Sequence, residues 1–182
     1  RGAGLKLLMD EVDPRIDPLG PENKLIFATG PLTGTGVPAG GRFVVVSKSP
    51  LSNCIANPCC GGYFGPNLKF AGYDILILEG QAPSPVYLYI RDDQVELRKA
   101  DHLWGKWSTD TEHAVRKELG ETDSLDDWEL SDLSVVPIGP AGENLVRFAC
   151  IMADGGRAAG RSGLGAVLGS KNLKGTAVSG TG

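Results

Sequence analysis

The 182-residue chain has 22 acidic against 18 basic side chains and a net charge of −4. That balance argues against nonspecific nucleic-acid binding, which needs a basic face to release counterions. A hydrophobic share of 41% with 22% charged residues is that of a folded globular domain rather than a disordered one. No apolar run approaches the roughly 20 residues of a membrane span, and the start has neither a signal-peptide core nor an initiator Met. The expectation is one cytoplasmic domain over residues 1–182, trimmed at its start from a longer protein.

Leu5, Leu8, Met9 and Val12 recur at helical spacing, so the chain opens on an amphipathic helix that Pro14 ends. Lys24 to Thr29 reads as a buried strand, Gly30 to Gly41 as a loop, and the β-branched run Arg42 to Lys48 as a second strand. Asn53 to Gly65 reads as another irregular loop. Pro66 suits the first position of a short helix ending near Gly72, and Asp74 to Leu78 returns as a strand. Val86 to Ile90 and Gln94 to Arg98 alternate around Arg91-Asp92-Asp93 as a hairpin. Thr109 and Glu112 have capping-box spacing ahead of a helix that Gly120 closes. Glu121 to Ser134, acidic with a lone Trp128, reads as a surface insertion. A strand at Val135 to Ile138, a loop at Gly139 to Asn144 and a strand at Val146 to Met152 come next. A glycine-rich loop from Ala153 to Gly165, a short helix to Ser170 and a strand at Thr176 to Val178 end the chain.

The first and last thirds repeat one order of parts. Gly30-Pro31 matches Gly139-Pro140, Arg42-Phe43 matches Arg147-Phe148, and Asn67-Leu68-Lys69 matches Asn172-Leu173-Lys174. The expected fold is α+β: a β-rich, two-sheet domain with a pseudo-twofold internal repeat and a few short helices. Two similar loops would then face each other, suiting a ligand with two similar halves.

Of the residues, 26 are glycine, about twice the usual frequency of roughly 7%. Glycine lets backbone N–H groups approach a ligand closely, and successive N–H groups form an anion-binding concavity. The run Asp154 to Gly165 adds Arg157 and Arg161 ahead of a helix, a combination suited to phosphate or a planar carbonyl heterocycle. Solvated surface arginines beside a packing helix are the plainer alternative. Gly34 to Ala39 resembles a dinucleotide fingerprint, but a strand follows it rather than a helix. No phosphate-loop signature, no Ser/His/Asp elbow and no distinctive carboxylate pair occurs. Cys54, Cys59 and Cys60 cluster while Cys150 stands apart, with no Cys-x-x-Cys pair; these read as reduced thiols. Neither His102 nor His113 has a ligand-like residue at i+3 or i+4 in the sequence, and both read as structural or surface residues. The pattern is that of a domain that binds a phosphate-bearing cofactor while catalytic side chains come from elsewhere.

At Pro21 to Ile26, Gly30 to Gly34, Gly40-Gly41-Arg42, Ser49-Pro50-Leu51, Gly61 to Gly65, Leu68 to Asp74, Ile138 to Asn144 and Arg157 to Arg161, the chain resembles the N-terminal domain of the tungsten-containing aldehyde ferredoxin oxidoreductase family. The resemblance implies a base for tungsten, or molybdenum, held by two pterins whose phosphates magnesium bridges. By that resemblance Arg42, Cys59 and Gly61 serve one pterin, and Arg157, Ala158, Gly160 and Arg161 the other. Backbone carbonyls of Cys59 and Ala158 would be the magnesium ligands. No catalytic residue is carried over. Cys59 departs from the family's frequent Asn, which leaves a carbonyl contact intact but not a side-chain role. The family's activity is oxidation of aldehydes to carboxylic acids with ferredoxin as acceptor. It implies further domains of the same polypeptide carrying the cysteines of a 4Fe–4S cluster, and a possible homodimer. The alternative is a non-catalytic phosphate or pterin carrier module.

Overall fold

The structure, a computed structural model, describes residues 1–120 and 132–182. Its first sheet is built on β1 (Leu25–Ala28) and β2 (Phe43–Lys48), every residue of which is buried. β1 pairs antiparallel with β2 on one side and with β5 (Ile75–Leu78) on the other. Two short strands, β3 (Ile55–Ala56) and β4 (Cys59–Cys60), also pair antiparallel with β2. The second sheet runs β7 (Gln94–Lys99), β6 (Val86–Arg91), β11 (Leu173–Ser179), β8 (Leu133–Pro137), with β6 and β11 parallel. β9 (Ile151–Ala153) and β10 (Arg157–Ala159) form a separate antiparallel pair.

Side chains alternate across a strand, so each sheet feeds two layers. From the first sheet, Leu25, Phe27, Phe43 and Val45 enter the central core, where Phe27, Phe43 and Phe64 pack ring on ring at centroid distances of 4.9–6.2 Å. Ile26, Val44 and Val46 point the other way, under Leu8 of helix α1 (Gly2–Glu11) and Val12 just beyond it. From the second sheet, Leu88, Ile90, Val136 and Val178 enter the same central core. Its other face packs Tyr87, Val135 and Ala177 against Val115 of α3 (Ser108–Glu118). Helices α2 (Phe64–Phe70) and α5 (Leu164–Ser170) add Phe64, Leu68, Leu164, Val167 and Leu168 to the core between the sheets. The fold is therefore α+β with two main sheets, as composition and periodicity suggest, plus one two-stranded ribbon.

The internal repeat exists, in a register different from two of the three sequence matches. β1, α2 and β5 correspond to β8, α5 and β11: in each set the outgoing strand runs antiparallel to the incoming one. Ala28 faces Ile75 as Pro137 faces Gly175, which places Gly30-Pro31 on Gly139-Pro140 as expected. Phe64-Gly65 then falls on Leu164-Gly165, and the chain leaves both helices through a left-handed residue, Gly72 (φ +90°) and Asn172 (φ +55°). Asn67 lies inside α2 whereas Asn172 follows α5, so the match of Asn67-Leu68-Lys69 to Asn172-Leu173-Lys174 fails. The Arg42-Phe43 match to Arg147-Phe148 fails as well, because residues 145–150 form no strand. Their backbone is used differently: the Ala149 carbonyl accepts the Gly165 N–H at 3.0 Å, and a Cβ on Gly163 or Gly165 would strike the Arg147 or Cys150 carbonyl.

Other boundaries also move. The loop expected from Asn53 to Gly65 contains β3 and β4, and that from Ala153 to Gly165 contains β10. The segment Gly139 to Asn144 holds a helical turn, α4 (Pro140–Glu143). Helix α2 starts two residues before Pro66, whose missing N–H costs nothing within the first turn. α3 starts one residue before Thr109, with Trp107 at its N-cap and no side-chain cap, and Glu112 turns inward and is buried. Most of the expected acidic insertion lies outside the described residues, and Leu133 and Ser134 belong instead to β8. No helix among the described residues is long and apolar enough to cross a membrane.

Truncating Phe64 removes the ring that two others contact. Phe64→Ala is expected to destabilise the domain by about 3–5 kcal/mol, read as a lower denaturant midpoint at unchanged slope in urea unfolding.

Candidate functional site

The pairing of β2 with β4 sets Phe43 opposite Cys60 and Val44 opposite Cys59. Continuing that register puts Arg42 at the end of the hairpin beside Gly61. Alternation sends the Cys60 side chain into the central core, where burial foremost and the nearby Asp154 charge push its thiol up to about 11. Cys59 faces the other way, and its sulfur accepts a hydrogen bond from the Arg1 guanidinium at 2.5 Å.

The second hairpin, β9–β10, sets Ala158 opposite Met152 and leads into Gly160, Arg161, Ser162 and Gly163. Ser162 and Gly163 are both left-handed, with φ of +67° and +74°, which turns the chain sharply into α5. The turn is tied to the first half of the molecule, as the Ser49 hydroxyl donates to the Ser162 carbonyl at 2.7 Å.

Between the two hairpins lies a cleft of about 700 Å³. Arg42 and the stretch from Ile55 to Cys59 line it from one side, Ala158 and Gly160 to Ser162 from the other, and Arg1 completes it. No acidic residue is among them. Among the described residues Arg42, Arg157 and Arg161 make no ion pair, and all three are exposed. In a chain of net charge −4 this is a local concentration of uncompensated positive charge, with guanidinium groups able to donate paired hydrogen bonds.

Of the residues singled out from the sequence, Arg42, Cys59, Ala158, Gly160 and Arg161 therefore meet at one cleft. Gly61 and Arg157 lie beside each other at its end: a Cβ on Gly61 would stand 3.9 Å from Arg157 Cδ. Arg157 reaches toward Tyr63, its guanidinium 6.0 Å from the ring centroid. Among the described residues no group of three His, Cys, Asp or Glu side chains could hold a metal ion. The arrangement can seat an extended anion with planar hydrogen-bonding edges; it offers no acid–base pair for chemistry of its own.

Sequence reasoning assigned no role to Asn57, Ser49 or Asp154. Ser49 lay within a Ser-Pro turn and Asp154 at the head of a glycine run, and nothing local marks either as a contact across the molecule.

The family model described as "Aldehyde ferredoxin oxidoreductase, N-terminal domain" matches residues 1–180. The tungsten-containing aldehyde ferredoxin oxidoreductases of Pyrococcus furiosus and Thermococcus kodakarensis are each 56% identical over 181 residues, all of this chain. The chain spans 28% of the length of either relative. Among solved structures, the active site complex BamBC of benzoyl coenzyme A reductase with 1,5-dienoyl-CoA superimposes at a TM-score of 0.91. It is 43% identical, covering 99% of this chain and 26% of that one.

Behind the second hairpin, α3 delivers Glu112, 2% exposed, to the start of the glycine run, where it accepts the Gly155 N–H at 3.2 Å. Arg116 from the same helix lies 3.4 Å from the carboxylate, and the charge of Asp154 also bears on it. Desolvation dominates and raises the Glu112 pKa from 4.5 to about 7. A carboxyl whose pKa is higher folded than unfolded contributes stability that is complete below the unfolded value and lost as pH rises through the folded one. Stability should therefore fall between about pH 4.5 and 7, by an amount on the order of 3 kcal/mol. Glu112→Gln is expected to flatten that decline, measured as the thermal midpoint against pH.

Proposed function

The chain belongs to the aldehyde ferredoxin oxidoreductase family through its N-terminal domain, and from that premise we propose that its cleft seats a tungsten–bispterin cofactor in an enzyme that oxidises aldehydes to carboxylic acids with ferredoxin as electron acceptor. The observation that carries this reading is the convergence of Arg42 and Cys59 with Ala158, Gly160 and Arg161 on one cleft free of acidic residues. The two groups come from hairpins in the two halves of the chain, as a ligand with two similar anionic arms requires.

The residues present fit such a group. Arg42, on the first hairpin, would hold the phosphate of one pterin, and Arg157 and Arg161 that of the other. Gly61 and Gly160 carry no Cβ, so backbone N–H groups there can be approached closely. The carbonyls of Cys59 and Ala158, one from each side of the cleft, are candidates for a magnesium ion between the phosphates. A backbone ligand makes the identity of residue 59 secondary, so a cysteine there is compatible with the role. When bound, the tungsten centre supplies the oxygen-atom and electron transfer. This chain's part is to bind and orient the pterins, and its exposed arginines supply the counter-charge.

Ferredoxin, the 4Fe–4S cluster and the aldehyde pocket belong in this reading to the remainder of the polypeptide, consistent with relatives more than three times as long. A cytoplasmic location and a homodimer are part of the same reading.

The test is made on the full-length protein purified without oxygen. Arg161→Ala is expected to lower tungsten per folded protein at least tenfold by elemental analysis, since the phosphate oxygens would lose a charged donor worth about 1.5–3 kcal/mol. Wild-type tungsten content in that variant would overturn the assignment.

A further inference from the structure

Asp154 is 8% exposed and left-handed (φ +43°), at the point where β9 gives way to the glycine run. One carboxylate oxygen accepts the backbone N–H of Tyr63 at 2.7 Å, and the other accepts the Ser134 hydroxyl at 2.6 Å. Tyr63 belongs to the turn after β4, in the first half of the chain, and Ser134 to β8. One side chain thus braces the turn at the end of one hairpin, the turn at the end of the other, and the edge strand β8 of the second sheet.

The approach is tight. Gly62 has φ +105°, and a Cβ there would run into the Asp154 carboxylate while standing 3.2 Å from Arg157 Cδ. Gly62 is therefore needed for the carboxylate's approach. Asp154 and Arg157 both flank the Gly62 position, yet among the described residues they close no ion pair, so the guanidinium stays available to another anion. Asp combines two acceptor oxygens, as these two donors demand, with a short stem that tolerates the left-handed backbone.

We propose that Asp154 is a positioning residue for the cofactor cleft: its carboxylate locks the Gly61–Tyr63 turn to the Arg157 turn and so sets the spacing between the arginines of the two hairpins. The inference rests on the cofactor reading above, but concerns a residue with no place among the ligand contacts. Without the brace, no hydrogen bond from Asp154 ties the Gly61–Tyr63 turn to the Arg157 turn, and the guanidinium groups lose their common geometry. Small displacements of this kind are costly where several charged hydrogen bonds must form together.

The experiment compares full-length wild type, Asp154→Ala, Asp154→Asn, Gly62→Ala, the Gly62→Ala/Asp154→Ala double variant and Arg161→Ala. Tungsten and pterin are measured per folded protein, alongside thermal midpoints. Asp154→Ala is expected to lose at least fivefold in occupancy. Asp154→Asn should retain more than half, because the amide oxygen can accept from Tyr63 while its NH2 donates to the Ser134 hydroxyl. Gly62→Ala should lose at least as much as Asp154→Ala, because its methyl meets the carboxylate and its φ of +105° also strains any side chain, and the double variant should lose less than the two single losses combined, since removing the carboxylate relieves the clash. Wild-type occupancy in Asp154→Ala with loss in Arg161→Ala would overturn the positioning role and leave the cofactor site standing. Absence of tungsten and pterin from the wild type itself would overturn both. If Asp154→Ala does not fold, Asp154→Gly decides, since glycine suits the left-handed backbone but brings no carboxylate: loss there beside retention in Asp154→Asn supports the role, and occupancy equal to that of Asp154→Asn overturns it.

Discussion

A cleft walled by two hairpins from opposite ends of a chain keeps its shape only if something other than the chain's continuity holds the walls together. Here two polar contacts do so. Ser49 reaches across to the Ser162 carbonyl, and Asp154 reaches back to the Tyr63 N–H while held from behind by Ser134. Both contacts join the first half of the molecule to the second. The three hydrogen bonds use buried or half-buried groups, where an unmet partner is expensive, so the arrangement resists partial opening.

Behind these contacts the apolar layers supply rigidity. The two sheets share one core, into which α2 and α5 insert from corresponding positions of the repeat. Each helix is only seven residues long and could not persist alone. They survive because α5 is buried at every residue but Ser170 and α2 at Phe64, Gly65, Asn67 and Leu68, and because Gly165 lets the start of α5 settle directly on the Ala149–Cys150 backbone. That docking diverts residues 145–150 from the sheet, and explains why the second half of the repeat carries a detached ribbon where the first has an integrated one.

Charge is distributed to the same end. Two lysines remote from the cleft are buried and satisfied in place. Lys174, fully buried, donates to the Lys106 carbonyl at 2.8 Å and to Glu143, and Lys171 donates to the Asn23 and Gly80 carbonyls. Burial lowers the Lys171 pKa to about 8. The arginines of the cleft, by contrast, are left without carboxylate partners. A chain with an acidic total thereby presents a positive surface at one place, a property invisible to its net charge.

Elements with long, uniform patterns could be read from residue order alone. The run from Leu25 to Ala28, the β-branched stretch after Arg42, the hairpin about Asp92, and the helix ending at Gly120 each carry a local physical signal: continuous apolar character, alternation, or a left-handed stop. So did the Gly-Pro repeat and the family-bearing arginines. What residue order could not reveal were features whose cause lies far away in the chain. Two-residue strands such as β3 and β4 have no periodicity to detect, and Val146 to Cys150 has strand-like composition but gives its backbone to a helix start. Glu112 has capping-box spacing yet is drawn inward to Gly155. Gly62 looks like one more ligand-approach glycine until Asp154, more than ninety residues later, is seen to occupy the space its side chain would take. Local propensity sets the pieces; only packing decides which backbone groups and charges are left facing one another.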